Sequence, residues 1–193
     1  MSIVFQHLPN LSHLTITYGA KHIGWEYERP KFGMKMGDAK IFADCLKITQ
    51  SLVYLSMPGN QIDDDLMNIL IKGLTLNKTI SQLDLSHNRI GNSGARKIAK
   101  FLLSTQVLTH LNLSDNQILY EGSRYLAQAL KVNKVLKHLS LKLNRLDDKA
   151  GSKLCIDLLN NNSNLESLSL SSNSLNHMFC ESLAEFLKIN KSL

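Results

Sequence analysis

The chain has 193 residues, 44% of them apolar, a formal net charge of +6 and a pI near 9.2. The apolar share suffices for a core, no run approaches the roughly 18 apolar residues of a membrane span, and Cys45, Cys155 and Cys180 lack pairing or metal spacing, which suits a reducing compartment. The basic excess, concentrated in the middle of the chain, permits an acidic partner without demanding one.

The N-terminus, MSIVFQHLPNL, has no basic stretch before its short apolar run, so a secretory signal is not expected. Residues 1–10 read as a short cap or lead-in. Leu11, Leu14 and Ile16 then begin an aliphatic pattern that the rest of the chain repeats, with Gly19 where later copies carry asparagine. An insert follows at about 21–35, KHIGWEYERPKFGMK, holding Trp25, Tyr27 and Phe32 among Gly24, Pro30 and Gly33. It reads as a loop with an aromatic cluster. Those rings either fold back to cap the end of the array or meet a partner, since insertions in repeat arrays map to surface loops. Asp38 is expected to N-cap a helix from Ala39 to Lys47, with Ile41, Phe42, Cys45 and Leu46 at helical spacing.

From Leu52 onward the pattern L-x-x-L-x-L-x-x-N-x-L recurs: LVYLSMPGNQI from Leu52, ISQLDLSHNRI from Ile80, LTHLNLSDNQI from Leu108, LKHLSLKLNRL from Leu136 and LESLSLSSNSL from Leu165. Starts 28 or 29 residues apart, with asparagine in register, are the signature of leucine-rich repeats and mean a solenoid. Each repeat predicts a short strand around its L-x-L pair and then a helix. The helices are expected at about Gly94–Leu103, with Ala95, Ile98, Ala99 and Leu102 inward, and about Ser123–Lys131, with Leu126, Ala129 and Leu130 inward. A period this long leaves room for about three helical turns at roughly 3.6 residues each, the ribonuclease-inhibitor-like subtype. The fold class is therefore α/β: a horseshoe arc with parallel strands on the concave face and helices on the convex face. Residues 1–193 form one domain, with a degenerate repeat in 1–51 and five regular repeats in 52–193. Leu193 falls at position one of a further repeat, so the C-terminal edge is expected to be uncapped.

Asn60, Asn88, Asn116, Asn144 and Asn173 end the strands. An amide side chain offers donors and an acceptor to backbone groups that the sharp turn would otherwise bury unpaired. This ladder is read as structural. Asp63-Asp64-Asp65 and Asp147-Asp148 stand where helices start and are read as caps that complement the helix dipole, not as metal ligands.

Candidate partner residues lie between the leucines, where alternate strand residues face the concavity. Position three holds Tyr54, Gln82, His110 and His138; position five holds Asp84 and Asn112; His87, Asp115 and Lys142 follow near the turn. Strands about 4.8 Å apart would stack His110 beside His138. A zinc site would need a third ligand; no cysteine is near and Asp84 and Asp115 are only possible ligands, so a metal is disfavoured. No serine or cysteine stands in a recognisable triad, and no glycine loop is spaced to cradle phosphate. No cofactor, metal or catalytic residue is expected, and without an aromatic stacking series nucleic acid is disfavoured. On the convex side, Arg96, Lys97, Lys100, Arg124, Lys131, Lys134, Lys149 and Lys153 form a candidate basic ridge that would attract an acidic filament surface.

LPNLSHLTITYGAKHIG (Leu8–Gly24), LDLSHNRIGNSGARKIAKFL (Leu83–Leu102), LNLSDNQILYEGSRYLAQAL (Leu111–Leu130) and LSLKLNRLDDKAGSKL (Leu139–Leu154) resemble the family of dynein regulatory complex subunit 5, also called T-complex-associated testis-expressed protein 1. The resemblance implies a non-enzymatic structural subunit of the nexin–dynein regulatory complex, in the cytoskeleton of the ciliary or flagellar axoneme. It implies other subunits of that complex as partners, with tubulin and dynein nearby, and neither nucleic acid nor membrane. It transfers no catalytic residues. Family members usually carry a further region before the repeats and more repeats after them. Two rival readings are a cytosolic enzyme inhibitor and a GTPase-activating repeat protein using Arg89 or Arg145. The asparagine reading predicts that Asn88→Ala destabilises the chain by about 1–3 kcal/mol, the cost of stranding buried polar groups. An unchanged denaturation midpoint would contradict it.

Overall fold

A computed structural model describes residues 8–18, 32–159 and 164–189. Trp25 and Tyr27 lie outside them. Among the described residues, six short parallel strands form one sheet in chain order: β1 (His13–Thr15), β2 (Tyr54–Ser56), β3 (Gln82–Asp84), β4 (His110–Asn112), β5 (His138–Ser140) and β6 (Ser167–Ser169). Helices alternate with them: α1 (Met36–Ile48), α2 (Asp64–Leu76), α3 (Asn92–Ser104), α4 (Tyr120–Val132), α5 (Asp148–Leu159) and α6 (His177–Ile189). Every strand pairs in the register that the repeat dictates, position three beside position three. The degenerate first repeat obeys the same register, His13 beside Tyr54, although Gly19 replaces its asparagine.

The leucine positions form the core. Leu52, Ile80, Leu108, Leu136 and Leu165 are buried, as are Leu55, Leu83, Leu111 and Leu139 behind the strands. Ala95, Ile98, Ala99, Leu102, Leu126, Ala129 and Leu130 close the core from the helix side, as the spacing predicts. Each large aliphatic contributes about 1.5–3 kcal/mol by leaving water. No repeat buries its face alone, so this stabilisation exists only through stacking.

The structure corrects the first helix. It begins at Met36, with Lys35 as N-cap; Asp38 sits at the third helical position, where its carboxylate accepts the Lys35 N–H at 3.0 Å. Ile41 is 55% exposed, while Phe42, Cys45 and Leu46 are buried. The helices α3 and α4 also run longer than their apolar spans predict, because polar first turns are held by side chains of the preceding repeat.

Three ladders of polar side chains tie the repeats together. In the first, Asn88 Oδ1 accepts the N–H groups of Asn60 and Ile62 at 2.9 and 3.0 Å, and Asn88 Nδ2 donates to the carbonyls of Met57, Leu85 and Ser86. Asn116, Asn144 and Asn173 repeat this, accepting from Ile90, Ile118 and Leu146 of the repeat before. Asn60 serves the degenerate repeat, accepting from Tyr18 N–H and donating to the Ile16 carbonyl.

The second ladder lies at the helix C-caps, Thr49, Asn77, Thr105 and Asn133, all buried. Asn77 Nδ2 donates to the Leu46 carbonyl at 2.9 Å and its Oδ1 accepts the Ile80 N–H at 2.8 Å. Asn133 does the same with Leu102 and Leu136. The third caps helix N-termini from the neighbouring repeat. Asp63 caps its own helix through the Leu66 N–H, but Asp64 Oδ1 accepts the N–H groups of Gly91 and Gly94 in the next repeat. Asn92 likewise accepts from Leu119 and Gly122, and Asp148 from Asn176. A Cβ at Gly94 or Gly122 would stand 2.7 Å from the capping oxygen, so glycine clears the space for the cap.

One buried ion cluster joins α4 to α5. Asp157 is 4% exposed and pairs with Lys131 at 2.8 Å and Lys153 at 3.1 Å. Burial pushes its carboxyl up, but the two ammonium groups win and hold it below the ordinary value of 3.8. A depressed carboxyl stabilises the fold above its unfolded pKa, and the gain disappears as pH falls through the folded value. Asp157→Asn is therefore expected to cost about 1–2 kcal/mol at pH 7, the scale of charge-assisted hydrogen bonds to half-exposed lysines. The difference from the parent should shrink in urea titrations as the pH is taken below the ordinary value of 3.8 and through the folded value.

Candidate protein-interaction face

A strand three residues long sends its first and third side chains to one face. Six such strands in register therefore build a concave face with two polar rows. Tyr54, Gln82, His110 and His138 form the first row; Asp84, Asn112 and Ser140 belong to the second. All of them line a shallow open hollow of about 230 Å³. His110 and His138 stack with ring centroids 4.1 Å apart, as the strand spacing predicts, and His13 tilts against Tyr54 at 5.7 Å.

The two rows differ in freedom. Asp84 accepts from the Ser56 hydroxyl at 3.2 Å and from the Ser86 N–H at 2.9 Å. Asn112 Oδ1 accepts from both the N–H and the hydroxyl of Ser114, and that hydroxyl lies 2.7 Å from Ser140 Oγ. Position five thus largely satisfies itself within the sheet. Position three faces the hollow with fewer bonds. Beyond the strands, His87 Nδ1 meets Asp115 Oδ2 at 2.7 Å, and Lys142 is exposed at the rim. His87, Asp115, Leu143 and Ser172 share positive φ between 52 and 57°, a turn conformation that Gly59 adopts at 66° in its own repeat.

Phe32 is the aromatic of the insert that the structure describes. It lines a second hollow of about 330 Å³ with Met34, Lys35, Gln61, Asp63, Leu66 and Arg89. Arg89 is half-buried there and Arg145 is exposed at the equivalent rim position. A third hollow, about 470 Å³, lies beside β6 and α6 and is walled by Leu168, Leu170, Leu175, Phe179, Leu183 and Leu187.

The convex ridge is less free than its sequence suggests. Lys131 and Lys153 share the single Asp157 carboxylate, and Arg124 pairs with Glu121 at 2.8 Å. Arg96 and Arg124 both pack on the Tyr125 ring, and Lys149 sits 4.6 Å above Tyr120. These contacts make most of the ridge structural. Sequence reasoning missed the partners because Asp157, Tyr120 and Tyr125 occur once each, without a repeat to mark them.

Burial pushes the Cys155 thiol up to about 11, so it is a protonated core group at neutral pH. Among the described residues, no three histidine, cysteine or acidic side chains gather to hold a metal, and no helix is long and apolar enough to cross a membrane.

Models of the leucine-rich-repeat family match residues 76–99, 106–127 and 132–155, and a second such model matches 164–186. The fold is a leucine-rich-repeat solenoid. Solved structures agree on the architecture. The actin-binding site 2 domain of leiomodin-1 superposes with a TM-score of 0.66 at 18% identity, covering 82% of this chain and 91% of that one. The tropomodulin C-terminal domain of Caenorhabditis elegans superposes at 0.61 with 15% identity, covering 78% and 94%. At such identities the likeness is one of fold. Dynein regulatory complex subunit 5 of Chlamydomonas reinhardtii is 36% identical over 66 residues, which is 34% of this chain and 17% of that protein's length.

The turn geometry yields a stability test. A leucine in the left-handed region costs about 1 kcal/mol or more, because its Cβ crowds the carbonyl, whereas asparagine tolerates it. Leu143 is also 45% exposed, so little packing is lost on replacement. Leu143→Asn is expected to raise the urea midpoint by the equivalent of about 1 kcal/mol.

Proposed function

We propose that the chain is a non-enzymatic interaction scaffold in the nexin–dynein regulatory complex of ciliary and flagellar axonemes. The observation that carries this reading is the 36% identity over 66 residues to the subunit 5 protein of Chlamydomonas reinhardtii. The architecture supports it. A stacked solenoid offers a broad rigid surface, and its concave face is an open polar hollow, suited to gripping a macromolecule.

In this reading Tyr54, Gln82, His110 and His138 make the direct contacts. Asp84 and Asn112 hold the sheet surface in shape behind them, and His87, Asp115 and Lys142 border the docking site. The insert, through Trp25, Tyr27 and Phe32, forms a second contact with another subunit of the complex. Tubulin and dynein lie nearby, and the chain helps regulate dynein-driven sliding without chemistry of its own.

A tagged chain is expected to decorate axonemes along their length, and its loss to impair beating while leaving the dyneins in place. The double variant Tyr54→Ala, Gln82→Ala should weaken axonemal retention about tenfold, the effect of truncating an aromatic anchor. Its unfolding midpoint should stay close to the parent's. A diffuse cytosolic pool with normal beating would refute the proposal.

A further inference from the structure

The first four helices end on aliphatics that the core does not use. Successive helices α1, α2, α3 and α4 close on Ile48, Leu76, Ser104 and Val132, one repeat period apart. Ile48, Leu76 and Val132 are each more than half exposed. In α3, where this position is serine, the adjacent Leu103 is also more than half exposed. Two residues before the row, Leu46, Leu74, Leu102 and Leu130 are all buried. The C-cap ladder ties the helix ends together in pairs. Asn77, next to Leu76, donates to the Leu46 carbonyl at 2.9 Å, and Asn133, next to Val132, donates to the Leu102 carbonyl at 2.7 Å. Scattered surface aliphatics need no explanation, but four aligned on neighbouring packed helices mark an interaction surface.

The flanks of the row are basic. Lys72 and Lys100 stand one helical turn before it, and Lys78 and Lys134 stand just beyond it. Residues 66–83, 85–114 and 122–145 contain no aspartate or glutamate. Asp44, the acid near the end of α1, is held by Lys47 at 2.6 Å, and Lys131 of α4 is held by Asp157. Among the described residues, Lys72, Lys78 and Lys100 form no ion pair. Each helix C-terminus adds roughly half a negative charge, less than the lysines beside α2, α3 and α4 supply. Spacing selects the shape of the partner. Packed helices lie about 8–10 Å apart, so the row repeats at about that interval. An α-helix brings one face back every seven residues, roughly 10.5 Å. A strand brings one face back every two, roughly 6.6 Å, and falls out of step.

We propose that the C-terminal ends of α1–α4 dock an amphipathic helix of a partner protein, lying across the four helices. Its heptad-spaced aliphatics cover Ile48, Leu76, Leu103 and Val132, and acidic residues beside them meet Lys72, Lys78, Lys100 and Lys134. A helix is favoured over a lipid surface because the row holds no tryptophan or tyrosine, the residues that anchor proteins at a membrane interface. This surface is separate from the concave face and does not depend on the axonemal reading.

The test titrates the full chain into a fluorescein-labelled synthetic helix and reads anisotropy. The probe is about four heptads of alanine, with one leucine per heptad and glutamates on either side of it. Binding should saturate and weaken as salt is added. The double variant Leu76→Ser, Val132→Ser should bind about tenfold more weakly, the effect of losing two aliphatic contacts, with its urea midpoint close to the parent's. Lys72→Gln with Lys100→Gln should weaken binding severalfold and flatten its salt dependence. A probe with lysine in place of glutamate should bind at least tenfold more weakly. The concave-face variant Tyr54→Ala, Gln82→Ala should bind like the parent, so this proposal and the concave docking site can fail separately. No saturable binding, equal binding of the lysine probe, or unchanged affinity in the Leu76→Ser, Val132→Ser variant overturns the proposal. So does co-sedimentation with phosphatidylserine vesicles, lost in that variant, in the absence of peptide binding.

Discussion

Every repeat must turn its backbone sharply where a strand ends, and that turn is buried against the next repeat. Buried N–H and C=O groups left unpaired cost about 1–3 kcal/mol each, so the fold depends on closing them. The asparagine amide closes several at once. Asn88 is 7% exposed, serves two amides of the preceding repeat and holds three carbonyls. Its bonds run between repeats as well as within one, so the same contact that finishes a turn also fixes the stacking register. The C-cap series and the cross-repeat N-caps extend this logic to both ends of the helices. Each rung leaves its own terminal groups for a neighbour to satisfy.

That constraint explains which concave residues are available. The second row of strand residues is drawn into hydrogen bonds within the sheet surface, as Asp84 with Ser56 and Ser86 and Asn112 with Ser114. The first row makes fewer such bonds, chiefly between a histidine ring and the hydroxyl of the residue before it, as at Thr109 and His110. Polarity alone marks both rows equally; only the bonding pattern separates the row held within the sheet from the row left open to the hollow. The same distinction governs the convex side, where Arg96, Arg124, Lys131, Lys149 and Lys153 of the ridge are divided among an aspartate, a glutamate and two tyrosine rings.

Much of the helix energetics is likewise supplied from outside the helix concerned. Gly91 and Leu119 stand at N-cap positions without a capping side chain of their own. Local propensity would start both helices later, at the first apolar residues. Asp64 and Asn92 of the neighbouring repeats accept the free N–H groups instead. The glycines at Gly94 and Gly122 are the sequence trace of that arrangement, needed for clearance where an oxygen of another repeat comes close.

The sequence by itself determined the solenoid, because a period of 28 residues carrying aliphatics and asparagine leaves one way to bury both. It also determined the strand register, the inward helix residues of α3 and α4, and the His110–His138 stack, since each follows from the period and the strand spacing alone. Tertiary structure decided what depends on contacts between particular side chains. It moved the start of α1 to Met36, turned Ile41 outward, gave Asp64 to the next repeat and withdrew Lys131 and Lys153 from the basic ridge. Periodicity encodes the positions that every repeat must share. The bonds that distinguish one repeat from the next are non-local, and become determinate only when the chain is stacked.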